Sequence, residues 1–256
     1  MIPAHRLRLR LLLPAVLALA GCGESDRAPA RGPQAIGLYT SLPIAWNESA
    51  DVRGLLADQA PPHWALEALR ERGRVIALDT LSPLRLPAAG MLVLAQPRPL
   101  TAPENVALDA WVQGGGRVLL LVDPMLTAHS LFGPGDPRRP QDIAMLSPIL
   151  GRWGLELQFD DAQPAGERDV ATALGAIPVN LRGVWRIPGK AGDGVARCRI
   201  DATGLLAECL AGKGRVLALA DAAMLEIPEN DAAIRRRSIL LGRLLDRLAA
   251  SADFGN

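Results

Sequence analysis

The side chains of this 256-residue chain that could do chemistry are few, and most follow runs that read as buried strands. Asp123 follows Arg117–Val122, Asp221 follows Arg215–Ala220, and His129 stands a few residues beyond Asp123. A carboxylate paired with an imidazole can activate water, so Asp123, His129 and Asp221 would make a hydrolytic site if they converged. Carboxylates gathered at one point could also hold Mg²⁺ or Ca²⁺. Each aspartate has a plainer reading as well. Asp123-Pro124 has the form of a helix N-cap with proline at N1, and Asp221 before Ala222-Ala223-Met224 reads as another cap. Thr40 and Ser41, Asp79, and Gln96 end three further strands. The expected ligand-binding rim is therefore Thr40, Ser41, Gln96, Asp123, His129 and Asp221. No residue is assigned a catalytic role, and no metal or cofactor is expected.

Other reactive patterns are missing from the sequence. Ser41, Ser82, Ser130 and Ser147 lie outside any Gly-x-Ser-x-Gly elbow. His63, in Pro61-Pro62-His63-Trp64, reads as a partly exposed residue at a helix start, and it and His129 do not have zinc-ligand spacing. Gly114-Gly115-Gly116 and Gly212-Lys213-Gly214 each precede a strand, so they cannot present helix N-terminal N–H groups to a phosphate. They end a helix and reverse the chain.

The elements that would position these residues alternate along the chain. Strands are expected at Ala35–Thr40, Arg74–Asp79, Met91–Ala95, Arg117–Val122, Leu155–Phe159 and Arg215–Ala220. Met91–Ala95 is apolar throughout, as a strand covered on both faces must be. Helices are expected at Pro62–Glu71, at Pro103–Val112, along the face Leu146, Ile149, Leu150 and Trp153, and in a last helix. That last helix turns Ile234, Leu241, Leu244, Leu245 and Leu248 inward and Arg235, Arg236 and Arg237 to solvent. Thr101-Ala102-Pro103-Glu104 has capping-box spacing. The stretch from Asp123 to Asp142 is a long Gly- and Pro-rich connection. Asp160-Asp161 reads as a strand-end turn, and Val184–Ile187 as a short strand in a weakly patterned region. The pattern implies a three-layer, doubly wound, mostly parallel α/β sheet with an antiparallel hairpin extension.

That hairpin would be Ala196–Ile200 and Leu205–Cys209 about Asp201-Ala202-Thr203-Gly204. With Thr203-Gly204 as its loop, Cys198 and Cys209 stand opposite each other on one face. A disulfide and two buried free thiols are both open readings.

The N-terminus bears on location. Arg6, Arg8 and Arg10 precede the apolar run Leu11–Ala20, which ends in Leu19-Ala20-Gly21-Cys22. A basic start, a short apolar run and small residues make a secretory signal. With its cysteine, the segment resembles the bacterial lipoprotein signal. That resemblance implies cleavage after Gly21 and lipidation of Cys22, with diacylglyceryl and fatty acyl chains such as palmitate. Residues 1–21 would be the signal, 22–34 a flexible tether, 35–250 one α/β domain and 251–256 a tail. The expected location is the periplasm-facing cell envelope, lipid-anchored, with Gly23 after the cysteine favouring the outer membrane. Removal of the signal takes three arginines and no acid from a net charge of +1, leaving −2, which argues against nucleic acid as a partner.

Several stretches together carry a family resemblance: Tyr39-Thr40-Ser41-Leu42-Pro43, Leu92-Val93-Leu94-Ala95-Gln96-Pro97, Gly114-Gly115-Gly116-Arg117-Val118-Leu119-Leu120-Leu121-Val122-Asp123-Pro124, and Gly214–Asp221. Their order resembles the extracytoplasmic domain of ABC-transporter auxiliary proteins of the gliding-motility GldG type, and the related glutamine-amidotransferase-like domains. The resemblance implies an amidotransferase-like or flavodoxin-like sheet, a non-catalytic assembly role, and an envelope partner that could be an ABC transporter. GldG-type proteins are held by transmembrane helices, whereas this chain would be held by lipid. Amidotransferase chemistry needs a cysteine after a strand. Here the position after Met91–Ala95 is Gln96-Pro97. The expected function is a lipid-anchored envelope binding or assembly module. The alternatives are a periplasmic hydrolase using Asp123, His129 and Asp221, and a solute-binding lipoprotein, which would need two lobes.

Overall fold

A computed structural model describes residues 34–48, 61–189 and 196–250. The expected signal, Cys22 and most of the tether lie outside these residues, as does the tail. Eleven strands are present among the described residues: β1 (Gln34–Thr40), β2 (Gly73–Ala77), β3 (Met91–Ala95), β4 (Arg117–Leu121), β5 (Glu156–Phe159), β6 (Arg168–Thr172), β7 (Gly175–Val179), β8 (Gly183–Arg186), β9 (Ala196–Ile200), β10 (Leu206–Ala211) and β11 (Gly214–Leu219). The helices are α1 (Trp64–Arg70), α2 (Ala102–Gln113), α3 (Ser147–Arg152) and α4 (Asp231–Ala249).

The central sheet has seven strands in the order β2-β1-β3-β4-β11-β10-β9. β2, β1, β3, β4 and β11 run parallel, and β10 and β9 extend the sheet antiparallel. Apolar runs occupy the middle because both faces are covered there. All of β3 is buried, and Val118 to Leu121 of β4 are fully so. The chain leaves β1 toward one edge and β3 toward the other. Right-handed crossovers therefore place α1 and α2 on opposite faces. α4 packs on α1, β4 and β11, while α2 packs on β11 and α3. No described helix is long and apolar enough to cross a membrane.

Local signals fix the helix ends. The capping box closes at α2: the Glu104 N–H donates to Thr101 Oγ1 and the Thr101 N–H donates to Glu104 Oε2 at 3.0 Å. Asn230 caps α4 by accepting the Ala233 N–H at 2.9 Å. The glycine turns work by close approach. A ring atom of Trp111 occupies the space where Gly116 would carry a Cβ, and a Cβ on Gly214 would overlap the carbonyl oxygens of Val112 and Gly116.

Three expectations are corrected. Leu155–Phe159 reads as a strand of the alternating series. Its counterpart β5 stands outside the central sheet and pairs with β8 in a separate two-stranded sheet. Only alternate residues of β5 are shielded, so it suits a sheet covered on one side. The weakly patterned region also holds a hairpin, β6-β7, that the sequence did not mark. Finally, Arg237 is buried. It donates to the carbonyls of Ala223 and Glu226 and pairs with Glu167. An arginine run reads as solvated, yet one member at helical spacing turns inward, where two carbonyls and Glu167 hold its terminal nitrogens while its Nε has no hydrogen-bond partner among the described residues.

In the antiparallel extension Cys198 and Cys209 are register partners. They are joined as a disulfide, with Cα atoms 4.1 Å apart. Gly214→Ala is expected to cost about 2 kcal/mol, because backbone cannot yield to the added methyl. Gly133→Ala, in open space, should leave the melting temperature unchanged. Equal melting temperatures for the two variants would show that Gly214 is not tightly enclosed.

Candidate functional site

The carboxyl ends of β1 and β2, with the loops after β3 and β4, enclose an open cleft of about 620 Å³. It lies where neighbouring strands β1 and β3 send their connections opposite ways, which is where open α/β sheets bind ligands. Tyr39, Thr40 and Ser41 come from the end of β1, Asp79 follows β2, and Arg98 follows β3. Trp46, Phe132, Arg138, Arg139 and Gln141 complete the wall. Two guanidinium groups lie over aromatic rings, Arg98 at 5.4 Å from the Tyr39 centroid and Arg138 at 4.1 Å from that of Phe132. Trp46 stands 6.1 Å from Phe132.

Glu104 positions much of this wall. Burial pushes its carboxyl up, but hydrogen bonds from Arg98, Thr101 and the Leu81 N–H outweigh it and hold the group at about 2. Arg98 grips both its oxygens, at 2.7 and 3.0 Å. The residue that closes the capping box therefore also fixes the loops after β2 and β3. Burial pushes the Tyr39 phenol up to about 12, so it stays neutral, and its hydroxyl has no hydrogen-bond partner among the described residues. Arg138 pairs with Asp136 and Arg139 with Asp142. The cations of the wall are thus matched, and the cleft presents a near-neutral mixture of rings, donors and acceptors.

The other rim residues turn inward to the backbone. Gln96 is fully buried at the end of β3, with φ +41°. Its carboxamide donates to the carbonyls of Asp123 (3.1 Å) and Gln141 (2.8 Å) and accepts the Asp123 N–H at 2.8 Å. Ser41 Oγ donates to the Gln96 carbonyl and accepts the Gln141 N–H at 3.0 Å. Thr40 Oγ1 accepts the Leu42 N–H at 2.9 Å. Gln96 is therefore a brace, and it is removed from the set of residues able to touch a ligand.

Asp123 and Asp221 do come together, both fully buried at the ends of β4 and β11. No helix follows Asp123. Its Oδ1 accepts the Met125 N–H at 2.8 Å, and its Oδ2 has no hydrogen-bond partner among the described residues. Asp-Pro can start a turn as readily as a helix, and here a turn forms. Asp221 accepts N–H groups from Ala223 (2.6 Å) and Asn180 (3.0 Å), bracing a short 3₁₀ turn, Ala223–Leu225, rather than capping an α-helix. Burial pushes the Asp123 carboxyl up to about 7. Burial and the nearby Asp123 charge push Asp221 well above the usual carboxylate range.

His129 is exposed in the long loop and hydrogen-bonds to neither aspartate among the described residues. His63 is buried rather than partly exposed. It caps α1 by accepting the Ala65 N–H at 3.1 Å, and burial lowers its imidazole to about 4. No group of three or more His, Cys, Asp or Glu suited to a metal occurs among the described residues. The sequence reading missed Tyr39, Trp46, Arg98, Phe132 and Arg138. Only the Arg98–Glu104 spacing left a trace, and it is shared with any first-turn acid.

Residues 33–176 match the family model of an ABC-type uncharacterized transport system. The chain belongs to this transport-system family. Every wall residue of the cleft lies in the matched span, whereas Asp221, Glu226 and α4 lie beyond it. No curated protein sequence matches the chain. Among solved structures, it is similar to an exo-β-1,4-mannosidase from Opitutaceae bacterium strain TAV5 (15% identity, TM-score 0.46, 90% of this chain against 38% of the enzyme). It is also similar to a β-galactosidase from Bacillus circulans sp. alkalophilus (10% identity, TM-score 0.45, 86% against 31%). The chain spans about a third of the length of these enzymes.

Gln96→Ala is expected to cost about 3 kcal/mol, since it strands backbone groups at the ends of two strands. A loss well below 1 kcal/mol by denaturant unfolding would contradict the brace. The pH dependence follows from the buried aspartates. Their carboxyls ionise near 4 in the unfolded chain and higher in the fold, so the folded state holds protons longer. That stabilisation is full below about pH 4 and is lost as pH rises through about 7 for Asp123. Glu104 works in the opposite direction, losing its contribution as pH falls from about 4.5 toward 2. The melting temperature should therefore drop between pH 5 and 8, with a shallower drop in Asp123→Asn. An unchanged slope in that variant would rule out Asp123 as the titrating group.

Proposed function

We propose that this family member is a lipid-anchored, non-catalytic binding module of the bacterial envelope that serves its ABC-type transport system through the cleft at β1 and β3. The family match carries the reading, because the matched residues are those that build the cleft. The order of the parallel strands, β2-β1-β3-β4-β11, is that of a flavodoxin-like sheet and supports the flavodoxin-like or amidotransferase-like fold expected from the sequence. The GldG-type resemblance favours the same role. Support for a non-catalytic site comes from the rim itself: Ser41, Gln96 and Asp221 are engaged with backbone, His129 hydrogen-bonds to neither aspartate among the described residues, and the cysteines at 198 and 209 are bonded to each other.

The anchor is Cys22, whose acyl chains together hold the protein stably at a membrane. Location in the periplasm-facing leaflet, with the outer membrane favoured, follows from the same segment. The partner is an envelope component of the transport system, which presents a polar segment with an aromatic or planar group to Trp46, Phe132 and the two stacked guanidiniums.

Two measurements test this reading. In fractionated cells Cys22→Ser should move from the membrane pellet to the soluble fraction, and persistence in the pellet would overturn lipid anchoring. The full-length chain, crosslinked in cells, should capture a permease or ATPase subunit. A Trp46→Ala/Arg138→Ala variant should lose at least tenfold of that capture while keeping its melting temperature. Capture indifferent to both substitutions would remove the cleft from the interaction.

A further inference from the structure

A second cavity, of about 280 Å³, opens on the same rim and shares no wall residue with the cleft. Its walls are mainly apolar, with Leu42, Leu126, Leu225 and Ile227 prominent. Among the described residues the only carboxylate in them is Glu226, and no lysine or arginine contributes. Glu226 is half-buried. The Thr127 hydroxyl donates to its Oε1 at 3.1 Å, and its other oxygen has no protein donor among the described residues.

Among the described residues no salt bridge reaches the Glu226 side chain, and the cation near enough to act on it is Arg237. That guanidinium is spent on Glu167 and on the carbonyls of Ala223 and Glu226. His63, in the wall, is neutral above about pH 4, with its Nδ1 accepting the Ala65 N–H. His129, also in the wall, is exposed. Nearby, the fully buried Asp123 and Asp221 flank Ala222, itself a wall residue, and add negative charge as they ionise. An anion would meet this field unfavourably, and a neutral apolar molecule would leave the carboxylate half-desolvated and unpaired. A cation would offset both, and the apolar walls would shelter a hydrocarbon body.

We propose that this cavity binds a small ligand made of an alkyl body and one ammonium group, with the ammonium on the Glu226 carboxylate and the alkyl chain against Leu42, Leu126, Leu225 and Ile227. Of its walls, Ala222, Leu225, Glu226 and Ile227 lie beyond the span matched to the family, and the others lie within it. The site is independent of the partner interaction at the cleft, so either can fail alone.

Three probes of one size decide the question by calorimetric titration of the full-length protein: n-butylammonium chloride, 1-butanol and sodium butyrate. Butylammonium should bind at least tenfold tighter than butanol, and butyrate weakest. Glu226→Gln keeps an oxygen for Thr127 and should erase the preference for the ammonium while leaving butanol unchanged. Ala128→Phe, which fills the cavity, should abolish both. Equal binding of butylammonium and butanol would reveal a plain apolar hole and overturn the proposal. So would tighter binding of butyrate, a preference surviving Glu226→Gln, or no binding of any probe in the millimolar range. Should Glu226→Gln fail to fold, the ranking of the three probes on the unaltered chain decides alone.

Discussion

Gln96 is fully buried, and an amide taken out of water costs several kcal/mol unless its hydrogen bonds are replaced. All the replacements here are backbone groups: both main-chain groups of Asp123 and the carbonyl of Gln141. Its own carbonyl receives Ser41, so one residue ties together the ends of β1, β3 and β4 and the long loop that returns over them. This saturation holds the backbone of Gln96 at a φ that side-chain-bearing residues seldom adopt. With Ser41, which accepts the Gln141 N–H, and Glu48, which accepts from Ser130 and the Leu131 N–H, Gln96 holds the loop from Asp123 to Asp142 that carries Phe132, Arg138 and Gln141 of the cleft wall.

Charge is divided unevenly along this rim. On the side of β1 and β2 the guanidiniums stack on rings and pair with carboxylates, so the surface is nearly neutral and rich in directional donors. On the side of β4 and β11 the carboxyls of Asp123, Asp221 and Glu226 lie close enough that their charges raise the two aspartates, and Arg237 there pairs with Glu167. Burial pushes each of Asp123, Asp221 and Glu226 up. One side suits recognition by shape and hydrogen bonding. The other suits a positive charge.

Glu104 shows how a local motif becomes a tertiary one. As the last member of a capping box it needs only to satisfy the N-terminus of α2. Because Arg98, Thr80 and the Leu81 N–H also converge on it, the same carboxylate sets the distance between two loops of the cleft. A carboxylate held at about 2 keeps its charge across the working pH range, so this junction is insensitive to the titration that affects the aspartates.

The sequence by itself determined the parts that depend on neighbours in the chain. Buried strands were legible because a strand covered on both faces must be apolar throughout. The α2 cap was legible because its partners are three residues apart, and the hairpin about Asp201-Ala202-Thr203-Gly204 was legible as two short strands and a turn, whereas the pairing of Cys198 with Cys209 was decided only by the folded register. The strand-like sites of Thr40, Ser41, Asp79, Gln96, Asp123 and Asp221 at the carboxyl end were also readable from alternation alone. Tertiary structure decided everything that joins distant residues. Nothing near Gln96 marks it as a brace, since its partners lie 27 and 45 positions away. Arg237 stands three residues after Ile234 and four before Leu241, so helical spacing places it on the inward face, but its partners, Glu167 and the carbonyls of Ala223 and Glu226, are supplied only when α4 packs. β5 has the composition of a sheet strand, and only the packing of β8 against it takes it out of the central sheet. Stacking of Arg98 and Arg138 on rings 59 and 6 residues from them is likewise a property of the folded chain. Local sequence specifies hydrogen bonds within a turn. Burial, charge balance and the meeting of loops are set by packing, which no short window contains.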